Sequence, residues 1–204
     1  MNKTIIIIIP AFCLFNCKTE CKPKVKSVIN KTQSQTPVKI FILPLGKVNE
    51  SIISGTYRDI KKIFQNIEVM APEGMPSNAF YPPRNRYRAD TLIRWMSKRA
   101  NSNEIFVGIT MNDISATKNT IPDYGIMGLG YCPGNACVVS GFRLKDKSNF
   151  FKVVVHEMGH TTGLLHCPDK ACYMKDAEGV DTTDDEKGFC TKCSGYLRKK
   201  GWKI

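Results

Sequence analysis

Residues 156–166 have the sequence HEMGHTTGLLH, and all three histidines of the 204-residue chain lie in this stretch. On an α-helix, residues four apart share one face, so His156 and His160 can both bind one Zn²⁺ at about 2.0–2.1 Å. Gly163 tolerates a positive φ and is a natural helix terminator, after which the chain can turn back and present His166 as a third ligand. The stretch therefore predicts a metal-binding helix and the turn that ends it.

Three neutral imidazoles leave the fourth tetrahedral position for water, which is typical of a catalytic zinc site. Glu157 lies between the two helical ligands and is not needed as one, so it is free to take a proton from the zinc-bound water. Zinc lowers the pKa of that water to about 7 and polarises a substrate carbonyl. The pattern predicts a zinc enzyme that hydrolyses an amide, with Glu157 as the general base.

Four cysteines follow the histidines, namely Cys167, Cys172, Cys190 and Cys193, the last two as a CxxC pair. Four thiolates at this spacing are typical of a structural zinc site. Because Cys167 adjoins His166, a second zinc here would hold the third histidine in place. In an oxidising compartment, the competing outcome is two disulfides, Cys167–Cys172 and Cys190–Cys193.

This run of histidines and cysteines resembles the archaemetzincin family of zinc metallopeptidases, although the spacer from Met174 to Cys190 is slightly short for the family. The resemblance implies two Zn²⁺ ions and a peptide or protein substrate. It implies a catalytic zinc on His156, His160 and His166, a general base at Glu157, a structural zinc on Cys167, Cys172, Cys190 and Cys193, and a methionine turn at Met174 beneath the catalytic metal. The alternative is a catalytically silent module that binds a peptide or a protein partner in the same cleft.

The amino terminus has the pattern of a secretory signal peptide. Lys3 precedes an apolar run, Ile5–Phe15, that is short for a membrane span. The run ends just before Cys17 in a loose form of the cleavage box of bacterial lipoproteins, with Cys17 as the lipidated residue. A cleaved soluble signal and an uncleaved anchor are the alternatives. We expect export and lipid anchoring to a bacterial membrane, on the periplasmic side or the cell surface.

The chain divides into a signal peptide at residues 1–16, a lipidated tether at 17–36 and a metallopeptidase domain at 37–204. The tether is too polar to offset the entropy of ordering it. The domain has the usual size of a single domain.

The formal net charge of +12 makes nucleic acid a partner to consider. Since the basic residues are dispersed and no nucleic-acid-binding motif is present, we expect no nucleic acid partner. We also expect a monomer.

The order of the segments predicts an α/β fold. Residues 38–43 form a β-branched, apolar run that predicts a buried strand ended by Pro44. Asn49 is a plausible cap for an amphipathic helix, residues 71–88 are rich in Pro and Gly and predict a loop, and residues 104–110 predict another strand. Alternating strands and helices indicate crossover connections. With the family resemblance, this predicts a metzincin-like single domain with a twisted mixed sheet, an active-site helix and a small C-terminal subdomain stabilised by the four-cysteine zinc site.

Residues 126–131 and 136–144 predict two strands joined by a tight connection. Cys132 and Cys137 flank this connection, and they either form a disulfide or stay reduced. By the resemblance, a strand in this part of the sheet forms the rim of the cleft, so residues 138–142 are expected to pair with extended substrate.

Residues 176–186 hold six of the 18 acidic side chains. If this segment borders the cleft, it favours basic substrate residues; otherwise it is a solvated loop. Residues 196–204 predict a short surface helix.

Overall fold

The computed structural model describes residues 38–204, which form an α/β fold. The segment from residue 1 to residue 37, including the signal peptide, Cys17 and the tether, lies outside the described residues, so export and lipidation stay predictions. The elements are β1 (Lys39–Leu45), α1 (Glu50–Ile63), β2 (Ile67–Val69), β3 (Phe80–Tyr81), β4 (Arg86–Arg88), α2 (Ala89–Ser97), β5 (Glu104–Thr110), β6 (Ile114–Lys118), β7 (Ile121–Ile126), β8 (Gly128–Gly130), β9 (Ala136–Ser140), α3 (Phe150–Thr162) and α4 (Thr191–Arg198).

The main sheet has five strands in the order β2-β1-β5-β9-β8, of which only β8 is antiparallel to its neighbour. This confirms the mixed sheet. The expected end of the first strand at Pro44 is wrong, because β1 continues to Leu45. The backbone of Pro44 faces the side where β2 has already ended, and its carbonyl accepts a hydrogen bond from the Glu73 N–H at 3.0 Å. The missing N–H of proline therefore breaks no ladder bond between strands.

Successive side chains of a strand point to opposite faces of the sheet. Both faces of the main sheet are apolar, and helices cover both. Along β1, Ile40 and Ile42 pack in one apolar cluster with α1 and α3, whereas Leu43 and Leu45 pack in a second cluster with α2. The Asn49 side chain caps α1 as predicted, accepting from the Ser51 N–H at 3.0 Å. None of the helices within residues 38–204 combines the length and apolar character that a bilayer span requires.

The expectation that residues 71–88 form only a loop is wrong. They include β3 and β4, which join β6 and β7 in a second sheet of four strands. Strand β4 runs parallel to β6, and the Tyr87 N–H donates to the Asp113 carbonyl at 2.9 Å. The Pro and Gly residues around these short strands hide them in the sequence, because the pairing depends on β6, which lies much further along the chain.

Two further sequence expectations are corrected. Residues 138–142 cannot pair with substrate as a free edge, because β9 lies between β5 and β8; among the described residues, β8 is the edge of the sheet.

The C-terminal helix begins at Thr191 and ends at Arg198, before the tail predicted to be helical has finished. The tail is also not confined to the surface, since Leu197 and Trp202 are buried in the core.

An ion-pair network joins the second sheet to the loop after β9. Asp113 accepts hydrogen bonds from Arg86 Nε at 2.8 Å and from Arg143 Nη2 at 2.7 Å, and its side chain is only 9% exposed. Arg143 lies flat against β7, where a Cβ at Gly125 would come within 2.2 Å of the guanidinium carbon. The network thus fixes β7, which leads directly into β8.

Replacing Asp113 with Ala should lower the free energy of unfolding by roughly 2–4 kcal/mol, because two arginines lose their shared acceptor. The loss is limited because Arg143 is partly exposed, so water can replace its hydrogen bonds. Urea denaturation measures this loss. The control is Glu68→Ala, which removes the exposed ion pair with Lys39 and should cost less than about 1 kcal/mol. Equal losses in the two variants would show that the Asp113 network has no special role.

Candidate active site

Helix α3 carries the first two histidines on a well-packed support. The Asp146 side chain caps the short 3₁₀ turn at Lys147–Asn149 by accepting from the Ser148 N–H at 2.8 Å, and α3 follows directly. Val154 and Met158 are buried in the core. The helix ends at Gly163, whose φ of 107° is left-handed, as the sequence predicts.

The three histidines converge on one point. The Nε2 atoms of His156 and His160 are 3.1 Å apart, and those of His160 and His166 are 3.2 Å apart. Tetrahedral Zn²⁺ with Zn–N bonds of 2.0–2.1 Å requires about 3.3 Å between two ligand nitrogens. The geometry of the triad therefore fits a zinc ion.

The other ring nitrogen of each histidine faces an oxygen acceptor. His156 Nδ1 lies 2.6 Å from the Tyr173 carbonyl oxygen, and His160 Nδ1 lies 2.8 Å from that of Leu164. His166 Nδ1 lies 3.3 Å from a carboxylate oxygen of Asp176. With Nδ1 protonated toward these acceptors, the Nε2 lone pairs are left to bind metal.

Electrostatics keep the two helical ligands neutral. Burial lowers the pKa of His156 to about 3 and that of His160 to about 4. Neither imidazole therefore carries a competing proton at neutral pH, and both lone pairs remain available to a cation.

Glu157 is buried between α3 and the edge strand β8. Its pKa is raised to about 8 by burial, and none of residues 38–204 donates a hydrogen bond to its carboxylate. A Cβ at Gly128 would lie 2.5 Å from Glu157 Oε1, and a Cβ at Gly130 would lie 2.7 Å from the Glu157 backbone oxygen. These two glycines were not singled out from the sequence, although a Gly-x-Gly strand does signal close approach of another group.

Met174 lies beneath the helix that carries the histidines. Its side chain is fully buried, and a Cβ at Gly159 would come within 2.5 Å of the Met174 sulfur. Gly159 directly precedes His160, so the methionine packs against the helix between its two metal ligands. The assignment of Met174 to a methionine turn beneath the catalytic metal stays a prediction.

The four cysteines of the C-terminal segment form a second ligand set. Cys167, Cys172, Cys190 and Cys193 are free thiols whose sulfurs lie within 4.8 Å of one another. Cys167 and Cys190 have their sulfurs 3.7 Å apart, close to the spacing of about 3.8 Å that tetrahedral Zn–S bonds of 2.3 Å require. The alternative of two disulfides is absent from the described residues, and the geometry fits zinc.

Backbone N–H groups point at these sulfurs as they do around metal-bound thiolates. Cys172 Sγ accepts from the Met174 N–H at 3.5 Å and from the Cys190 N–H at 3.4 Å. A backbone hydrogen bond from Cys193 lowers the pKa of Cys190 to about 7. Burial raises the pKa of Cys172 and of Cys193, so a bound cation would have to displace their protons.

Cys132 and Cys137 do not form the disulfide that the sequence left open. Cys137 is a free, fully buried thiol on β9, and the strand directs it into the core beside Glu157. Burial, with a smaller effect from Glu157, raises its pKa well above the ordinary value.

The acidic segment at residues 176–186 is largely engaged in contacts within the protein. Asp181 accepts from the Lys145 N–H at 2.9 Å, and Asp184 accepts from the Asn149 side chain at 2.7 Å. Glu186 is buried and accepts from the Thr182 hydroxyl at 3.1 Å. Asp176 alone in this segment contacts a histidine of the triad.

An α/β fold with these two ligand sets defines a zinc metallopeptidase. The model of peptidase family M54 matches residues 78–199, which is more than half of the chain. The chain belongs to this family, the archaemetzincins.

Relatives and solved structures agree with this assignment. The archaemetzincin of Haloquadratum walsbyi is 28% identical over 175 residues, which is 78% of this chain and 98% of that protein. The archaemetzincin of Methanopyrus kandleri is 30% identical over 132 residues, or 61% of this chain and 73% of that protein. Its crystal structure matches with a TM-score of 0.68 and 25% identity over 80% of this chain and 95% of that one. The Archaeoglobus fulgidus archaemetzincin, solved with malonate, matches with a TM-score of 0.67 and 26% identity over 78% and 99%.

The Met174 contact predicts opposite effects of alanine at two helical glycines. Alanine is favoured over glycine by about 1 kcal/mol in a helix. At Gly195 of α4 an added Cβ meets nothing within 4 Å, so Gly195→Ala should stabilise the protein. At Gly159 the Cβ overlaps a buried sulfur, so Gly159→Ala should destabilise by roughly 1–3 kcal/mol and weaken zinc retention. Urea denaturation and zinc analysis check both variants; a Gly159→Ala protein as stable as wild type would refute the contact.

Proposed function

We propose that this zinc peptidase uses His156, His160 and His166 as the ligands of a catalytic zinc and Glu157 as its general base. The observation that carries the proposal is the convergence of three Nε2 atoms, 3.1 and 3.2 Å apart, next to a buried carboxylate that takes no hydrogen bond from residues 38–204. The donor set is all imidazole, which suits Zn²⁺ and leaves a coordination position open.

When bound, the zinc supplies a Lewis acid that lowers the pKa of water and polarises the scissile carbonyl. The protein supplies the rest of the reaction. Glu157 accepts the proton of the attacking water and returns it to the amine as the peptide bond breaks. Its burial helps this role, because a carboxylate with few competing partners is a stronger proton acceptor in a site that excludes water.

We propose that an extended substrate binds along β8. This strand pairs with β9 on one side only among the described residues, so its free backbone groups are available for strand addition. Gly128 and Gly130 bring this strand into contact with Glu157. A peptide paired with β8 would therefore pass close to both the base and the triad.

We propose a second, structural zinc on Cys167, Cys172, Cys190 and Cys193. Four sulfurs complete a tetrahedral set and leave no position for substrate or water. The set ties α4 to the segment that carries His166, since Cys167 follows that histidine and Cys190 precedes α4. Its role would be to hold the third ligand in place.

Export and attachment through a lipid on Cys17 are also proposed, on the strength of the apolar run and cleavage box in the sequence. Lipid on the amino-terminal cysteine would place the peptidase at a membrane surface, where stable anchoring takes two acyl chains or one chain and a basic segment.

Replacing Glu157 with Gln should leave zinc bound and lower turnover by about 100- to 10,000-fold, the usual contribution of general acid–base catalysis. Mass spectrometry of a mixed peptide library, incubated with wild type and variant, measures this loss. Elemental analysis of both proteins serves as the control for metal content. Undiminished cleavage by Glu157→Gln would overturn the role of the base, and a wild type that holds zinc but cuts nothing would favour a silent binding module.

The two ligand sets predict two zinc ions per chain, and the histidine site can be emptied while the four-cysteine site keeps its zinc. His160→Ala should lose one zinc and all activity while the fold remains. Cys193→Ser should lose the other and lower the melting temperature sharply, because a structural zinc contributes directly to folding. The matched control is Cys137→Ala, which removes a buried thiol outside both sets and should keep both ions. Loss of zinc in the control would argue against the assignment of the ligands.

A further inference from the structure

His166 differs from the other two histidines in how it is held. His156 and His160 project from α3, and each faces a backbone carbonyl. His166 lies beyond the end of the helix, its side chain is 42% exposed, and its Nδ1 faces a side chain, Asp176, at 3.3 Å. The orientation of this one ring therefore depends on a side-chain contact, and nothing in the metal-binding motif accounts for Asp176.

One backbone hydrogen bond orients the Asp176 carboxylate, and a backbone bridge fixes the segment that leads into it. Its Oδ1 accepts from the Glu178 N–H at 2.9 Å, which leaves Oδ2 directed at His166. The segment before it is tied to the segment after His166, since the Cys167 N–H donates to the Met174 carbonyl at 2.7 Å in a short parallel bridge. Histidine and carboxylate are thus presented by two adjacent stretches of backbone.

The turn that follows Asp176 is itself packed against the second sheet. Glu178 and Gly179 both have positive φ, of 50° and 89°. A Cβ at Gly179 would lie 2.5 Å from the hydroxyl oxygen of Tyr124 on β7. Tyr124 therefore limits the movement of the turn, and only glycine fits at that contact.

We propose that Asp176 is a positioning residue for the catalytic zinc: its carboxylate accepts a hydrogen bond from Nδ1–H of His166 and so directs Nε2 of that ring at the metal. This role rests on the proposed function of the three histidines as zinc ligands. A carboxylate behind a zinc-bound histidine fixes both the tautomer and the ring orientation, and it makes the ring a better electron donor. Because Asp176 does not touch the Nε2 side, it acts through His166 and not on the substrate.

The test compares Asp176→Ala and Asp176→Asn with Asp169→Asn. Asp169 makes the same kind of turn, accepting from the Ala171 N–H at 3.0 Å, but it contacts no histidine among the described residues. Release of zinc to a chromophoric chelator is followed for each full-length holoprotein. Asp176→Ala should release one of its two zinc ions about 10- to 100-fold faster than wild type. Asp176→Asn should also release it faster, because its one amide oxygen cannot accept hydrogen bonds from both the Glu178 N–H and His166 Nδ1–H. Asp169→Asn should match wild type.

Steady-state kinetics on a peptide that the wild type cleaves give the second readout. We expect kcat to fall in Asp176→Ala while KM stays unchanged, because the ground-state contacts of the peptide are not altered. Wild-type zinc release and kcat in Asp176→Ala would overturn the proposal and leave the peptidase assignment intact. If Asp169→Asn changed zinc release and kcat as much as Asp176→Ala does, the role of Asp176 would be only to stabilise its turn, and the proposal would be overturned. Faster zinc release in a protein that cleaves no peptide would overturn the proposed catalysis but not the positioning role.

Discussion

The convergence of three imidazole nitrogens is the constraint on which the rest of the structure depends. The Nε2 atoms lie 3.1 and 3.2 Å apart, and their lone pairs repel one another unless a cation lies between them. Each ring must therefore be held at its Nδ1 atom until the metal binds. Two carbonyls and one carboxylate do this. The chain then has to reverse within the short stretch from Gly163 to His166, which only a left-handed residue at the end of α3 permits.

Several parts of the fold serve this constraint together. Met174 packs against Gly159 and so limits how closely α3 can approach the C-terminal segment. The residue before it, Tyr173, supplies the carbonyl that faces His156 Nδ1. The set of four cysteines closes this same segment onto α4. A change in the C-terminal segment therefore reaches the three histidines through backbone contacts, and the two ligand sets are structurally connected.

The sequence predicts the chemistry of the site better than its surroundings. Ligand type and spacing are local properties, so His156, His160, His166 and the four cysteines are found at their expected positions, as is the helix end at Gly163. Strand β4 and the Asp176 contact were missed because each depends on a partner that tertiary folding brings near. The expected strand end at Pro44 is wrong for the same reason. A proline disrupts a strand where a neighbouring strand needs its N–H, and β2 has already ended beside Pro44.

Strand β8 shows how one short element can serve two partners. Among residues 38–204, no strand pairs with its outer backbone edge, where we propose that an extended peptide binds, and its glycines at 128 and 130 let Glu157 lie directly against the strand. A side chain at either position would push the strand and the helix apart and would widen the gap between a bound peptide and the base. Catalysis by proton transfer requires heavy-atom distances of about 2.6–3.2 Å, so a small displacement would matter. In the proposed mechanism, the distance from Glu157 to a peptide on β8 would therefore depend on the absence of side chains at Gly128 and Gly130 as well as on the zinc motif.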